Sequence, residues 1–345
     1  MYKVSIIIPA RNEERFLPEC LKSVQAQTYP HHLLEIILVN SNSSDGTENV
    51  MKNFSLETDI PAVKILQNPN GDTPGALNVG YKNATGDLFL HIIAHVSIES
   101  DHIERAVMML DEKKADGICG RILTIGSGEN SFWDDSISTA MESLFGIGNA
   151  WARVRTKEGW IDNPMIALYK RELLEKFGYI NNRLTRNQDY EFNQRCFAGG
   201  AKFWFEPSLK VYYRNRARLG QLWRQYFNAA KWRTFMIGEH NASVRLRHLV
   251  PPLFVLSLLI SAIVSLFWQP ACFVFASIIG LYAIGLLLNT ILNAFKRKKI
   301  LILITLPCVF ATIHFAYGLG FFTGLFCFFL LGKKKRIIIA ESQIR

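Results

Sequence analysis

Asp189 stands in RNQDYEF, residues 186–192, where a polar loop runs into a helical pattern. A carboxylate so placed has two uses. It can take the proton of an attacking hydroxyl as a general base, or it can cap the helix while Glu191 adds negative charge to the first turn. The local pattern alone favours the cap. His95 follows the apolar run LFLHIIA, residues 88–94, and offers an imidazole either to a divalent cation or to an ordinary hydrogen bond at a strand end. Asp45 lies in SNSSDGT, residues 41–47, a turn signal after a β-branched run, so it has a turn role whatever else it does. The six cysteines, Cys20, Cys119, Cys196, Cys272, Cys308 and Cys327, are scattered with no CxxC pair. They read as reduced thiols on a cytosolic face and argue against a cysteine-built metal or redox site.

The elements that must hold these residues alternate. KVSIIIPA, LEIILVN (34–40), Ala62–Leu66 and Leu88–Ala94 read as buried strands. Between them, Glu14–Gln27, Thr47–Phe54 and a segment entering near Ala76 from the glycine-rich PNGDTPGALNVGYKNATGD have helical spacing. Strands alternating with helices predict an α/β fold with a doubly wound, mostly parallel sheet. In such sheets ligands bind beyond the carboxyl ends of the strands. Topology alone therefore nominates Ala10–Asn12, Asn40–Asp45 and His95. Further on, Ile166–Phe177 reads as strand then helix, Arg186–Phe197 as loop then helix, and Phe203–Phe205 and Val211–Tyr213 as two short strands. Residues 220–237 form an amphipathic helix in which Trp223, Tyr226, Phe227 and Trp232 interleave with Arg224, Lys231 and Arg233.

The 345 residues carry a net charge of +10, unevenly placed. Residues 1–206 hold 21 basic and 27 acidic groups, whereas 207–248 and 249–345 each hold nine basic groups and one acid. An acidic front half argues against nucleic acid as a partner, and the basic rear suits anionic headgroups. The apolar stretches 249–268, 271–295 and 300–332 contain no Asp, Glu, Lys or Arg. Each is long enough to matter to a bilayer, where about 20 apolar residues cross the core. Basic clusters at Arg245/Arg247, Lys296–Lys299 and Lys333–Arg336 flank them, and the Gln269–Pro270 link has none. The positive-inside rule then makes the first two a hairpin with both ends in the cytosol. The third, at about 50 Å as a helix against a core of about 30 Å, reads as a bent segment, re-entrant or partly interfacial, broken near Pro307 or Gly318–Gly320, with a single span that leaves Lys333–Arg336 outside as the alternative. The first apolar run, Val4–Ile8, is five residues long and is followed by RNEER, so no signal peptide is read. The expected organisation is a cytosolic domain over 1–240, split into halves of about 1–115 and 116–240, and a membrane region over 241–345.

The pieces VSIIIPARNEERFLPECLKSVQAQTYP, EIILVNSNSSDGT, NGDTPGALNVGYKNATGD and RNQDYEF stand in the order seen in inverting family 2 glycosyltransferases. Along residues 2–240 the chain resembles that family. RNQDYE (186–191), QYFNAAKWR (225–233) and HFAYGLGF (314–321) make it most similar to the succinoglycan-type sugar transferases. The resemblance implies a GT-A type fold, a nucleotide diphosphate sugar as donor, and a polyprenyl-diphosphate-linked saccharide as acceptor. It implies Asp189 as the catalytic base, next to Gln188 where many relatives carry Glu. Ala10, Arg11, Asn12, Glu13, Asn40, Asp45 and Lys82 would line the nucleotide pocket, with Asn40 where relatives usually have Asp. Asp162, Arg186, Gln188, Arg214, Gln225 and Trp232 would serve the acceptor or the diphosphate. After the fourth strand the family expects an Asp-containing metal element, and this chain has Ile93-Ala94-His95. His95 would then be the remaining ligand for a divalent cation, Mn2+ more readily than Mg2+.

The expected activity is transfer of a single sugar during surface polysaccharide assembly, at a cell membrane that the chain crosses more than once, with the catalytic domain cytoplasmic. Processive relatives carry QxxRW, but here Gln221-Leu-Trp-Arg224 is followed by Gln225. Two alternatives share the same features: a catalytically silent membrane subunit that binds a partner transferase, and a processive polysaccharide synthase. Loss of the acid at Ile93 favours the first, and the retained RNQDYE favours an active enzyme.

Overall fold

The computed structural model describes residues 1–129, 131–148, 150–239 and 245–330. They form two compact units. Among the described residues the first comprises Met1–Leu123 and Trp151–Tyr213, and the second comprises 124–150 and 214–330. The division does not follow the expected boundary at 240, because the amphipathic helix groups with the apolar helices.

The first unit is built on β1 (Val4–Ala10), α1 (Leu17–Gln25), β2 (Leu34–Asn40), α2 (Thr47–Glu57), β3 (Ala62–Gln67), α3 (Thr73–Asn83) and β4 (Leu88–His91). β1 and β2 are buried along their whole length, as uninterrupted apolar runs require when both faces of a parallel sheet are covered. Strands β3, β2, β1 and β4 lie side by side and parallel. Gly80 of α3 sits directly over Ile7, where an added Cβ would come within 2.4 Å of a side-chain methyl. The chain continues through β5 (Val96–Ile98), α4 (His102–Glu112) and β6 (Gly117–Ile125). After α5 (Asp134–Met141) and α6 (Leu144–Ile147) of the second unit come α7 (Trp151–Val154), β7 (Gly159–Ile161), β8 (Ala167–Lys170), α8 (Glu172–Phe177), α9 (Gln188–Ala198) and β9 (Phe203–Arg214).

The full sheet runs β3-β2-β1-β4-β8-β6-β9-β5, with β7 on β9. β8 enters antiparallel to β4, and the pairs β6–β8, β5–β9 and β7–β9 are antiparallel as well. Among the strand pairs described, the four front strands are the parallel part. The two short strands expected at 203–205 and 211–213 are one strand, because alternating burial continues through Glu206–Lys210. β4 stops at His91, and residues 93–96 form a turn closed by the Val96 N–H donating to the Ile93 carbonyl.

In the second unit, α10 (Leu219–Glu239), α11 (Leu246–Ser265), α12 (Pro270–Arg297) and α13 (Ile302–Leu325), followed by a π turn at Phe326–Leu330, pack with α5 and α6. Three helices are long and apolar enough to cross a membrane: Leu246–Ser265, Pro270–Arg297 and Ile302–Phe329. Leu253, Leu259, Ile263, Phe273, Leu281, Leu292 and Ile304 are exposed on them, as befits lipid-facing side chains.

Over the described residues the third apolar segment is one helix without a break. α13 continues through Pro307 and through Gly318–Gly320. Its glycines mark close helix contact instead. A Cβ at Gly320 would lie 2.3 Å from the Phe227 carbonyl oxygen of α10, and one at Gly318 would lie 2.5 Å from a Val255 methyl of α11. Small residues let helix backbones approach in this way. His314 joins the same packing, with Nδ1 3.0 Å from the Tyr282 hydroxyl and Nε2 2.7 Å from the Phe145 carbonyl. Because a carbonyl only accepts, Nε2 carries the proton and Nδ1 accepts from the tyrosine. Lys333–Arg336 and the end of the segment 300–332 lie outside the described residues.

Candidate active site

The carboxyl ends of β1, β2 and β4 converge in the first unit, and the residues after them hold one another. Beyond Ala10, Arg11 donates from Nη1 to the Gly71 carbonyl at 2.8 Å. Asn12 takes a left-handed conformation at φ 55°, which Asn tolerates. Its Oδ1 accepts from the Ser44 N–H at 2.8 Å, and its own N–H donates to Ser43. The Glu13 N–H donates to Thr47 Oγ1 at 2.8 Å, and the Glu14 carboxylate accepts from the Gly46 N–H at 2.9 Å. Two loops from different strands are thus laced into one rim.

Asn40 is buried within that rim. Its amide donates to Glu48 at 3.0 Å and its carbonyl accepts from the Ser43 N–H at 3.1 Å. Asp45 accepts from the Thr47 N–H, the Thr47 hydroxyl and the Glu14 N–H. Partial burial raises its pKa, but these hydrogen bonds outweigh it and hold the carboxyl below its ordinary value. Both residues build the loop with the same groups that were expected to face a nucleotide. Lys82 does not reach this rim. It is in the last turn of α3, toward the end of the sheet where β4 begins, with its ammonium 5.7 Å from the Tyr179 ring centre.

His95 lies in the turn after β4. Its Nδ1 is 3.4 Å from a Glu13 carboxylate oxygen, and its ring meets Tyr213 edge-on at 5.2 Å between centroids. A carboxylate on one imidazole nitrogen fixes the ring and leaves the other nitrogen, Nε2, for a ligand. Among the described residues no three His, Cys, Asp or Glu side chains converge on one point. A cation at His95 would therefore take most of its oxygen ligands from a diphosphate and water, as ions bound with a substrate phosphate commonly do. The residues present fit such a site, with His95 and Glu13 as its protein side. Ile93, two residues earlier, contributes no ligand.

Asp189 occupies the first turn of α9, after Asn187, which is left-handed at φ 60°. It is half-buried and lies two residues past the N-cap, Asn187, so it is not the helix cap that local sequence favours. Instead it lies close enough to act electrostatically on His91 and Tyr81. Those two bond to each other at 2.8 Å beneath it, from His91 Nδ1 to the Tyr81 hydroxyl. Burial pushes the His91 pKa down, against the opposing pull of Asp189, and burial pushes the Tyr81 hydroxyl up. The imidazole is therefore neutral at pH 7. Arg186 and Gln188 flank it, both half-buried.

One turn further along α9, on the same face, Asn193 donates to the Pro164 carbonyl and accepts from the Tyr169 hydroxyl at 2.8 Å. Gln194 donates to the Asp162 carbonyl at 3.0 Å. Asp162 is thereby held beside the helix that carries Asp189. Ile166, four residues on, has φ 50°, a strained value for a β-branched side chain.

Three of the residues expected near the acceptor belong to the second unit. Arg214 donates to the Gly126 carbonyl at 3.3 Å. Gln225 has its amide oxygen buried with no hydrogen bond from the described residues. Trp232 is 1% exposed and packs on Phe235 and Phe328, so it serves the core and is not open to an acceptor. Residues overlooked in the sequence include Glu14, Glu48, Tyr81 and Asn193. Each acts through a partner 8 to 32 positions away, as in Asn40–Glu48, Tyr81–His91, Asn193–Tyr169 and Glu14–Gly46. Only the register of the sheet and loops reveals such pairs.

The family model described as "Glycosyl transferase family 2" matches residues 5–178, about half of the chain and most of its first unit. The chain belongs to glycosyl transferase family 2. Its similarity to the dolichyl N-acetyl-alpha-D-glucosaminyl phosphate 3-beta-D-2,3-diacetamido-2,3-dideoxy-beta-D-glucuronosyltransferase of Methanococcus voltae is 28% identity, covering 93% of this chain and 97% of that protein. Succinoglycan biosynthesis protein ExoA of Rhizobium meliloti (strain 1021) is 26% identical over 71% of this chain and 73% of that protein. Among solved structures, the mannosyltransferase PcManGT from Pyrobaculum calidifontis, in complex with GDP-Man and Mn2+, superposes with a TM-score of 0.61 at 17% identity, covering 94% of this chain and 87% of that one. The family 2 assignment makes this protein a glycosyltransferase of GT-A type.

Proposed function

We propose that this family 2 enzyme is a membrane-anchored inverting transferase that adds one sugar, from a nucleotide diphosphate sugar, to a polyprenyl-diphosphate-linked saccharide in surface polysaccharide assembly. The observation that carries the reading is the half-buried Asp189 carboxylate in the first turn of α9, past the N-cap and near the neutral His91. The likeness to a transferase named for a dolichyl-linked sugar phosphate supports a lipid-linked acceptor.

In this mechanism Asp189 takes the proton of the acceptor hydroxyl. The hydroxyl oxygen bonds to the anomeric carbon from the face opposite the diphosphate, the carbon–oxygen bond to the diphosphate breaks, and the nucleoside diphosphate leaves with the electron pair. One displacement inverts the anomeric centre. Neutral His91 and Tyr81 keep the floor beneath Asp189 uncharged, so its negative charge is not quenched from below. His95, oriented by Glu13, would hold a divalent cation, which when bound neutralises charge on the diphosphate. The Asn12–Ser44 and Glu14–Gly46 contacts hold the rim against which the nucleotide would rest. Arg245 caps α11 and Arg247 is in its first turn, and Arg297 ends α12 with Lys299 just beyond it. By the positive-inside rule both groups are cytosolic, with Gln269–Pro270 on the far side.

Calorimetric titration with UDP and GDP, each with Mn2+ and with EDTA, tests the donor side. Metal-dependent binding of one nucleotide is the expected result. If UDP, GDP, CMP and thymidine diphosphate all fail to bind, the silent-subunit reading replaces this one.

A further inference from the structure

The helix that carries Asp189 is reached through a loop. Between α8 and α9 the chain has neither helix nor strand, and it runs from Gly178, at φ 77°, to Asn187, at φ 60°. The start of this loop is held by α9. Arg195 donates from Nη2 to the Tyr179 carbonyl at 2.9 Å and pairs with both oxygens of Glu191, one turn back, at 3.0 and 3.1 Å. Further on, the Leu184 N–H donates to the Asn181 carbonyl at 3.1 Å and the Arg183 N–H to Asn181 Oδ1 at 3.0 Å, so Asn181 turns the chain toward α9.

The stretch between these two points is fixed from α3. Asn78 is 8% exposed, and its carboxamide meets the backbone of the buried Ile180 as a neighbouring strand would. Oδ1 accepts from the Ile180 N–H at 3.0 Å, while Nδ2 donates to the Ile180 carbonyl at 2.8 Å and to Asn182 Oδ1 at 2.7 Å. The position calls for a donor and an acceptor on one short neutral side chain; an aspartate has no donor to offer. Buried backbone groups that lose such a partner are left unsatisfied, which is costly away from water. Tyr81 lies three residues further along α3, on the same face, and its hydroxyl meets His91 in the floor near Asp189. One helix thus bears on both the loop that delivers Asp189 and the pair beneath it.

We propose that Asn78 is a positioning residue for the transfer: it sets the place of Asp189 through segment 180–182 and touches neither substrate. This rests on the proposed function for the role of Asp189. A base must stand within hydrogen-bond reach of the proton it takes, and a misplacement of about 1 Å can cost about a hundredfold in rate. Loss of the clamp should lower turnover and spare binding at the nucleotide rim, which other loops build.

The test compares Asn78→Ala and Asn182→Ala with the wild type, as full-length protein in detergent. Hydrogen–deuterium exchange, read by mass spectrometry, should rise over residues 179–187 in Asn78→Ala and stay at the wild-type level over β1 and β2. Turnover is read as nucleoside diphosphate released from UDP-N-acetylglucosamine or GDP-mannose, as the calorimetric titration selects, with undecaprenyl diphosphate N-acetylglucosamine as acceptor. Asn78→Ala should lower kcat by about ten- to a hundredfold, with donor KM and UDP or GDP affinity unchanged, a split that a merely structural defect would not produce. Asn182 is exposed, so Asn182→Ala should fold and give a smaller fall in kcat; it decides the matter if Asn78→Ala does not fold. Asn83→Ala, on the same helix but with its amide on the Val79 carbonyl, should leave kcat unchanged. Wild-type kcat in both Asn78→Ala and Asn182→Ala, or unchanged exchange over 179–187 in Asn78→Ala, overturns the positioning role and leaves the transferase reading intact. A fall in kcat matched by an equal loss of nucleotide affinity overturns it as well. Appreciable turnover in Asp189→Asn would instead count against the proposed function.

Discussion

Asp189 and His95 are the two residues on which the chemistry turns, and they were readable to different degrees. Asp189 was visible because RNQDYEF stands in order with other motifs; its local sequence favoured a cap, and the structure puts the N-cap at Asn187 instead. Asp189→Asn is nearly isosteric and removes the proton acceptor. Transfer should fall by at least about a thousandfold, near the upper range for a positioned base, with nucleotide affinity unchanged by calorimetry. Appreciable turnover in that variant would remove Asp189 from the mechanism. His95 was legible by its place after the fourth strand, but its partner Glu13 was not, since 82 residues separate them. Glu13→Gln should weaken Mn2+-dependent nucleotide binding in the same direction as His95→Ala and by less, because orientation is lost before ligation is. Equal nucleotide affinity with Mn2+ in His95→Ala and wild type would end the case for a cation there. Lys82 and Trp232 show the limit of motif transfer. A motif gives sequence distance to a site, whereas the end of the sheet a residue occupies depends on which way its helix runs.

Elements were the most legible scale where periodicity was strong and the least where packing decides. β1, β2, α1 and α9 follow from their patterns. The single strand β9 and the unbroken α13 do not, since Pro307 and two glycines read locally as breaks. Burial against α10 and α11 outweighs that local preference. The glycine seam can be tested element by element. Gly320→Ala would put a methyl on the Phe227 carbonyl, and should cost about 1–3 kcal/mol as overpacking. Gly280→Ala on α12, where nothing lies within 4 Å, should be neutral or slightly stabilising. Thermal unfolding in detergent compares the two; similar melting temperatures would mean that α10 and α13 are not held by this seam.

For the whole molecule, the uneven charge was plain in the sequence, whereas the two interleaved units were not. Stability toward acid should follow a group far from the catalytic rim. Glu35 of β2 is 1% exposed and accepts from Lys64 of β3, Ser5 of β1 and the Thr85 backbone. Burial raises its pKa, but these bonds outweigh it and bring the carboxyl to about 2, against an ordinary 4.5. A folded-state pKa below the unfolded value means stability that is present above about pH 4.5 and is lost as the pH falls toward 2. The contribution is on the order of 3 kcal/mol at neutral pH. Glu35→Gln should lower the denaturation midpoint at pH 7 and flatten its dependence between pH 5 and about 3. A parallel downward shift at every pH would assign the acid sensitivity to other carboxylates.

The chain leaves the sheet unit at Leu123, returns at Trp151 and leaves again after Tyr213. The excursion carries α5 and α6, whose Ser136 and Phe145 meet Thr305, Phe310 and His314 of α13. During synthesis those two short helices emerge more than 150 residues before the helix that covers them. Their apolar faces must wait for α13 to be made, and under the proposed membrane anchoring the bilayer would take part in completing the fold. A fragment ending at residue 240 should be insoluble or should bind a hydrophobic dye strongly, and a chain stalled before α13 is a natural client for chaperones at the membrane.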